Sequence, residues 1–186
     1  PVKQARPLQD ATRVAAGHRH TCAILRAGRV VCWGRNSEGS LGDGTVDTVD
    51  RRIRFATVAG LEGAVEIAAQ ASGGETCARR ADGEVVCWNP LALDPHDWTV
   101  FTGDFVALAV GDLQSCALGR DGRAYCWRFD CERLVESTKR VPFCERLRII
   151  SMDPDIPSEG RHLSAGWWDA CEATSRGEVL CWSVDP

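Results

Sequence analysis

Eight cysteines stand in four pairs of identical spacing: Cys22 and Cys32, Cys77 and Cys87, Cys116 and Cys126, Cys171 and Cys181. Thiols in such a pattern can ligate a metal, exchange disulfides or form permanent cross-links. Zinc sites use close Cys-x-x-Cys pairs, and the chain has none, so no metal and no cofactor are expected. Each pair instead flanks a turn ending in Gly28, Gly83, Gly122 or Gly177, and two of these turns carry the hairpin dipeptides Asp82-Gly83 and Asp121-Gly122. A type I turn plus bulge centred there sets the two cysteines opposite each other on antiparallel strands, at a separation a disulfide accepts. The pairs are therefore expected to be cross-links within hairpins. Cys131 and Cys144 complete a set of ten and are expected to form a fifth bridge in a longer loop. Cysteine at this density points to an oxidising compartment: secreted, periplasmic or cell-surface.

Other candidates for chemistry are sparse. His18, His20, His96 and His162 are scattered. The stretch His18-Arg19-His20 could present two ligands, but no acidic or cysteine partner stands at helical or hairpin spacing, and His20 is expected to be a structural histidine bonded in a turn. LGDGT (41–45) lacks the Gly-Lys-Ser/Thr of a phosphate loop and the terminal Glu of a calcium loop. No Gly-x-Ser-x-Gly elbow occurs. The carboxylates of DPHD (94–97) and MDPDIP (152–157) read as loop chemistry, although a glycosidase-type site built from two converging carboxylates is the enzymatic alternative. The expectation is a non-enzyme.

The formal net charge is −4, from 22 basic and 26 acidic residues, with no basic tract, which argues against a nucleic-acid partner. No apolar run is long enough to span a bilayer. The chain opens on Pro1 and reads as mature or trimmed. Hydrophobic residues make up 44%, enough for a sizeable core.

The elements that must hold the cysteine hairpins repeat with them. A small-residue strand precedes each first cysteine: VAAG (14–17), IAAQ (67–70), LAVG (108–111) and LSAG (163–166). Small side chains let strands converge tightly, as the innermost strands of a propeller must. A tryptophan follows each second cysteine, Trp33, Trp88, Trp127 and Trp182, in the position expected of packing between repeats. Outer strands follow at RIRFATV (52–58), WTVF (98–101) and LRII (147–150). The expected fold is all-β: one β-propeller domain over 1–186, with four blades of four antiparallel strands and repeats near 13–58, 65–101, 105–150 and 163–186. The N-terminal segment 2–8 is expected to complete the last blade, in a monomer. The alternative is an open four-blade arc belonging to a larger ring or a dimer.

Residues 14–45, VAAGHRHTCAILRAGRVVCWGRNSEGSLGDGT, resemble the repeat of the regulator of chromosome condensation family. That pattern runs Ala-Ala-Gly, His-Thr, a glycine turn, Trp-Gly-x-Asn and a glycine-rich loop ending Asp-Gly. Residues 56–70 continue it, while the slot of His20 holds Glu75, Gln114 and Asp169 in later repeats. Propellers of the family usually have seven blades, and this chain has material for four. The resemblance implies a β-propeller used for protein–protein contacts. Charge and cysteine content point away from chromatin binding or nucleotide exchange, and the superfamily includes a secreted bacterial β-lactamase inhibitor.

Topology names a binding face. Strands of a blade run up and down in turn, so the loops between strands one and two share a face with those between three and four. That face gathers Trp167, Trp168, His18, Arg19, Arg35 and Asn36, the candidate contact residues. The expected partner is another protein, with a glycan stacked on tryptophan as the alternative.

Overall fold

The computed structural model describes residues 8–36, 39–46, 52–88, 98–128, 146–150, 162–167, 169–174 and 176–183. Among them all regular structure is β, in four antiparallel sheets that follow chain order. The first sheet holds β1 (Ala11–Ala16), β2 (His20–Leu25), β3 (Val30–Gly34) and β4 (Arg52–Thr57). The second holds β5 (Ala64–Ala69), β6 (Thr76–Arg80), β7 (Val85–Trp88) and β8 (Trp98–Phe101). The third holds β9 (Phe105–Val110), β10 (Ser115–Gly119), β11 (Ala124–Arg128) and β12 (Arg146–Ile150). The fourth holds β13 (His162–Ala165), β14 (Asp169–Ala173) and β15 (Val179–Ser183). Sheets one and two lie in one compact unit, Pro1–Gly103, and sheets three and four in another, Asp104–Pro186.

One hairpin is built four times. In the first, Gly28 N donates to Leu25 O and Leu25 N to Arg29 O, each at 2.8 Å. The same two bonds recur around Gly83, Gly122 and Gly177. All four glycines have φ between 75° and 94°, the left-handed conformation that closes a type I turn with a bulge and that a Cβ would oppose. Asp82 and Asp121 support two of the turns by accepting from the backbone N–H two residues on, at 3.1 Å each. This register sets Cys22 opposite Cys32, Cys77 opposite Cys87, Cys116 opposite Cys126 and Cys171 opposite Cys181. All four pairs are disulfides, with Cα atoms 4.0–4.1 Å apart. The expected Cys131–Cys144 bridge lies outside the described residues, as do residues 2–7 of the expected closing strand, and Leu8 belongs to no strand.

Within the first unit, β1 and β2 pack against β5. The core there joins Ile24, Val30, Leu41, Val58, Leu61, Ile67, Val86 and Trp88 from both sheets. Burial of each such side chain contributes roughly 1.5–3 kcal/mol before entropy is counted. All four residues of β7, VVCW, are buried, which explains a continuous apolar run where a half-exposed strand would alternate. Within the second unit, β9 and β10 pack against β13, and Cys116, Cys126 and Ala170 form a small core on which Trp182 packs.

Candidate functional site

The first sheet reaches the second through His20. The residue opens β2 and is only 4% exposed, and its Nε2 lies 2.6 Å from Oγ1 of Thr76 at the start of β6. The ring also covers Gly17, where a Cβ would sit 2.4 Å from Cε1. The glycine of the Ala-Ala-Gly stretch is therefore small because an imidazole occupies its side-chain space. Burial pushes His20 down from its ordinary 6.5 to about 4, so the ring is neutral at physiological pH. The expected structural role stands, with an addition: the ring bridges two sheets, while the backbone carbonyl of His20 closes the turn by accepting from Gly17 N at 2.9 Å. A backbone bond runs alongside, from His18 N to Gln70 O at 3.1 Å.

Asn36 folds the loop after β3. Its Oδ1 accepts from Leu41 N at 3.0 Å, and its Nδ2 donates to Thr45 O at 2.9 Å and Thr45 Oγ1 at 3.2 Å. Asp43 Oδ1 in turn accepts from Thr45 N and Oγ1. The side chain is fully buried, so Asn36 shapes a surface that it does not itself contact, which corrects its place among the candidate contact residues. The loop is then pinned from the second sheet by Trp88, whose Nε1 donates to Ser40 O at 3.0 Å. A Cβ at Gly42, which has φ +63°, would lie 3.1 Å from that same Nε1.

These constraints hold an open cleft of about 250 Å³. The turn after β1 supplies His18 and Arg19, both exposed, with buried His20 beside them. The loop after β3 supplies half-buried Arg35 and buried Ser40, and the loop before β6 supplies Ser72, Gly73 and Gly74. None of these residues is acidic. Three of the six candidate contact residues, His18, Arg19 and Arg35, thus line one cleft of the first unit. In the second unit Trp167 is 58% exposed, and Trp168 lies outside the described residues.

Glu75, Cys77 and Cys87 offer ligand atoms within 4.8 Å of one another, a metal-like cluster by distance alone. Both sulfurs belong to the Cys77–Cys87 disulfide, so neither is a thiolate able to ligate.

The tryptophan that follows the second cysteine reaches back to the preceding repeat in both units. Trp88 does so through Ser40, and Trp182 through an Nε1–H donated to Cys126 Sγ at 3.4 Å. Residues 11–40, which span β1 through Ser40, match the family model of the regulator of chromosome condensation (RCC1) repeat. The chain therefore carries a segment similar to the RCC1 repeat. Human WBSCR16 superposes with a TM-score of 0.70 at 17% identity, over 96% of this chain and 50% of that one. Yeast RCC1 (Prp20), solved with Kap60 bound, gives 0.64 at 16% identity over 96% of this chain and 45% of that one. The CRINKLY ectodomain of the Arabidopsis thaliana receptor kinase ACR4 gives 0.53 at 19% identity, over 94% and 50%. At these identities the likeness shows the fold, an RCC1-like β-propeller architecture. In sequence, the human E3 ubiquitin-protein ligase HERC2 is 29% identical over 142 residues, which is 68% of this chain and 3% of that protein. The RCC1-like chain spans half or less of each of these solved structures and a small part of the ligase.

The Trp-Gly-x-Asn signal ends on Asn36, the organiser of the loop, and a polar residue at a loop entrance looks the same in sequence whether it faces inward or outward. Ser40 is the other residue that sequence reasoning missed, since its contribution to Trp88 is a backbone carbonyl and leaves no side-chain signature.

Proposed function

We propose that this chain is a non-catalytic protein-binding module of an oxidising compartment, secreted, periplasmic or at a cell surface. The observation that carries the reading is the division of labour around the first-unit cleft. The buried polar groups, His20, Asn36 and the indole of Trp88, hold the loops to each other, while His18 and Arg19 project outward from them. A rigid frame displaying side chains from three loops is the arrangement of a recognition surface. RCC1-like propellers serve in protein assemblies, as yeast RCC1 does with Kap60, and the fold also forms the ACR4 ectodomain. Four buried or partly buried disulfides support the compartment. Exposed Trp167 adds an aromatic of the kind that anchors interfaces.

The test is affinity capture from a native surface proteome with the intact chain as bait, repeated with Trp167→Ala and Arg19→Ala and set beside a glycan array. A specific protein captured by the wild type and lost with either substitution, at unchanged melting temperature, supports the reading. A glycan bound through Trp167 with no protein captured would replace it by a lectin.

A further inference from the structure

Within each unit one sheet packs on the next in the same way, and the first and fourth sheets each keep one half of that contact exposed. We infer that the fourth sheet of one copy of this chain packs on the first sheet of a second copy, so that two chains join through two identical contacts. The inference is independent of the protein-binding reading above.

Side chains alternate along a strand, so each sheet has a disulfide face and a tryptophan face. On the first sheet Cys22, Val30 and Cys32 share the disulfide face, and they are covered by Ile67, Val86 and Trp88 from the tryptophan face of the second. The second unit repeats the arrangement. Cys116 and Cys126 of the third sheet meet Leu163, Ala170 and Trp182 on the tryptophan face of the fourth.

The chain carries one further surface of each kind. Val30, Val85, Ala124 and Val179 all stand two residues after a hairpin glycine. The first three are fully buried, whereas Val179 is 67% exposed. Cys181 beside it is exposed, whereas Cys32, Cys87 and Cys126 are buried. The disulfide face of the fourth sheet is therefore open. Val14, Ile67, Leu108 and Leu163 likewise share one position on the small-residue strands. Ile67 and Leu108 are buried and Leu163 half-buried, whereas Val14 is 68% exposed. Around buried Ala23 and Val31, the same face of the first sheet presents half-buried Trp33 and exposed Phe55. Their counterparts in the second sheet are Trp88, which is buried, and Trp98, which packs on the core. A strand face left to water carries polar residues at such positions; here they are valine and phenylalanine.

The repeat itself says what covers each face: a disulfide face takes a tryptophan face, and this chain displays one of each. Such a contact joins different patches of the two partners, and it satisfies every patch when the copies close on one another. Length agrees with a pair. The chain covers 50% of WBSCR16, 45% of yeast RCC1 and 50% of the ACR4 ectodomain, so two copies supply about the length of one such structure.

Sedimentation velocity of the intact chain over a wide concentration range tests this. The mass should rise with concentration from one copy to two. Val14→Glu and Val179→Lys each place a charge that water solvates in the single chain and that the contact would strip of water. Each variant should keep the wild-type circular dichroism and bind itself about tenfold or more weakly, the scale of a hot-spot loss. Mixing the two variants is the decisive arm. The Val14→Glu copy keeps its fourth-sheet face and the Val179→Lys copy keeps its first-sheet face, while the other contact sets Glu against Lys. The mixture should therefore dimerise at a concentration where neither variant does alone. Reduction of Cys171–Cys181 should also slow as the wild-type dimer forms, because Cys181 lies on the covered face. A mass of one copy at every concentration, a dimer that both folded variants retain, species larger than two copies, or a mixture that stays monomeric overturns the inference.

Discussion

His20 Nε2 and Thr76 Oγ1 lie 2.6 Å apart, joining the first strand after one turn to its counterpart in the next repeat. The pair makes stability depend on pH. The folded imidazole titrates near 4 and an unfolded one near 6.5, so between these values the unfolded chain binds more protons. Stability is therefore fully present above about pH 6.5, falls as pH drops, and levels off below about pH 4. The contribution lost is on the order of 3 kcal/mol. Urea denaturation across this range should show the slope in the wild type and lose most of it in His20→Gln. An equal slope in both proteins would locate the acid sensitivity elsewhere.

Gly17→Ala should destabilise without touching any hydrogen-bond donor or acceptor. Its Cβ would sit 2.4 Å from the His20 ring, and the ring cannot swing away without releasing Thr76. Overpacking of this kind costs roughly 1–3 kcal/mol. The double variant Gly17→Ala with His20→Ala should recover part of the loss, because the space is then open. Thermal melts of the three variants measure the coupling.

The repeated tryptophans should differ in cost although they occupy one slot of the repeat. Trp88 is buried and bonded to Ser40 O, so Trp88→Ala should cost about 3–5 kcal/mol, and Trp88→Phe about 1–2 from the orphaned carbonyl and lost volume. Trp33 is half-buried and meets Phe55 edge-on, with ring centroids 5.2 Å apart. Trp33→Ala should cost clearly less than Trp88→Ala in chemical denaturation.

Peptide mapping without reductant should recover Cys22–Cys32, Cys77–Cys87, Cys116–Cys126 and Cys171–Cys181. Graded reduction of the folded protein should open Cys171–Cys181 first. Cys181 is exposed and Cys171 half-buried, whereas both sulfurs of the other three pairs lie in buried residues. Each closed loop is worth roughly 3 kcal/mol in the chain-entropy model, so full reduction should lower the melting temperature steeply. Prior loss of Cys22–Cys32 or Cys77–Cys87 would contradict the burial.

Much of this protein is written locally. The glycine at the end of each turn fixes where a hairpin reverses, the reversal fixes which residues oppose, and opposition fixes the disulfides; all three steps act within a dozen residues of Cys22 or Cys77. The outer strands β4, β8 and β12 were legible for the same reason, since their apolar runs are bounded by loop residues. What lay beyond sequence was the direction in which side chains of one loop turn relative to another repeat. His18 and His20 are two residues apart, yet one is exposed and the other bonds Thr76, 56 positions away. Arg35 and Asn36 are neighbours, yet one lines the cleft and the other is sealed beneath it. Local propensity is nearly the same for both members of each pair. Only the packing of the second sheet on the first, which sets Thr76 against His20 and Trp88 against Ser40, decides which polar group is desolvated and satisfied inside and which is left to meet a partner.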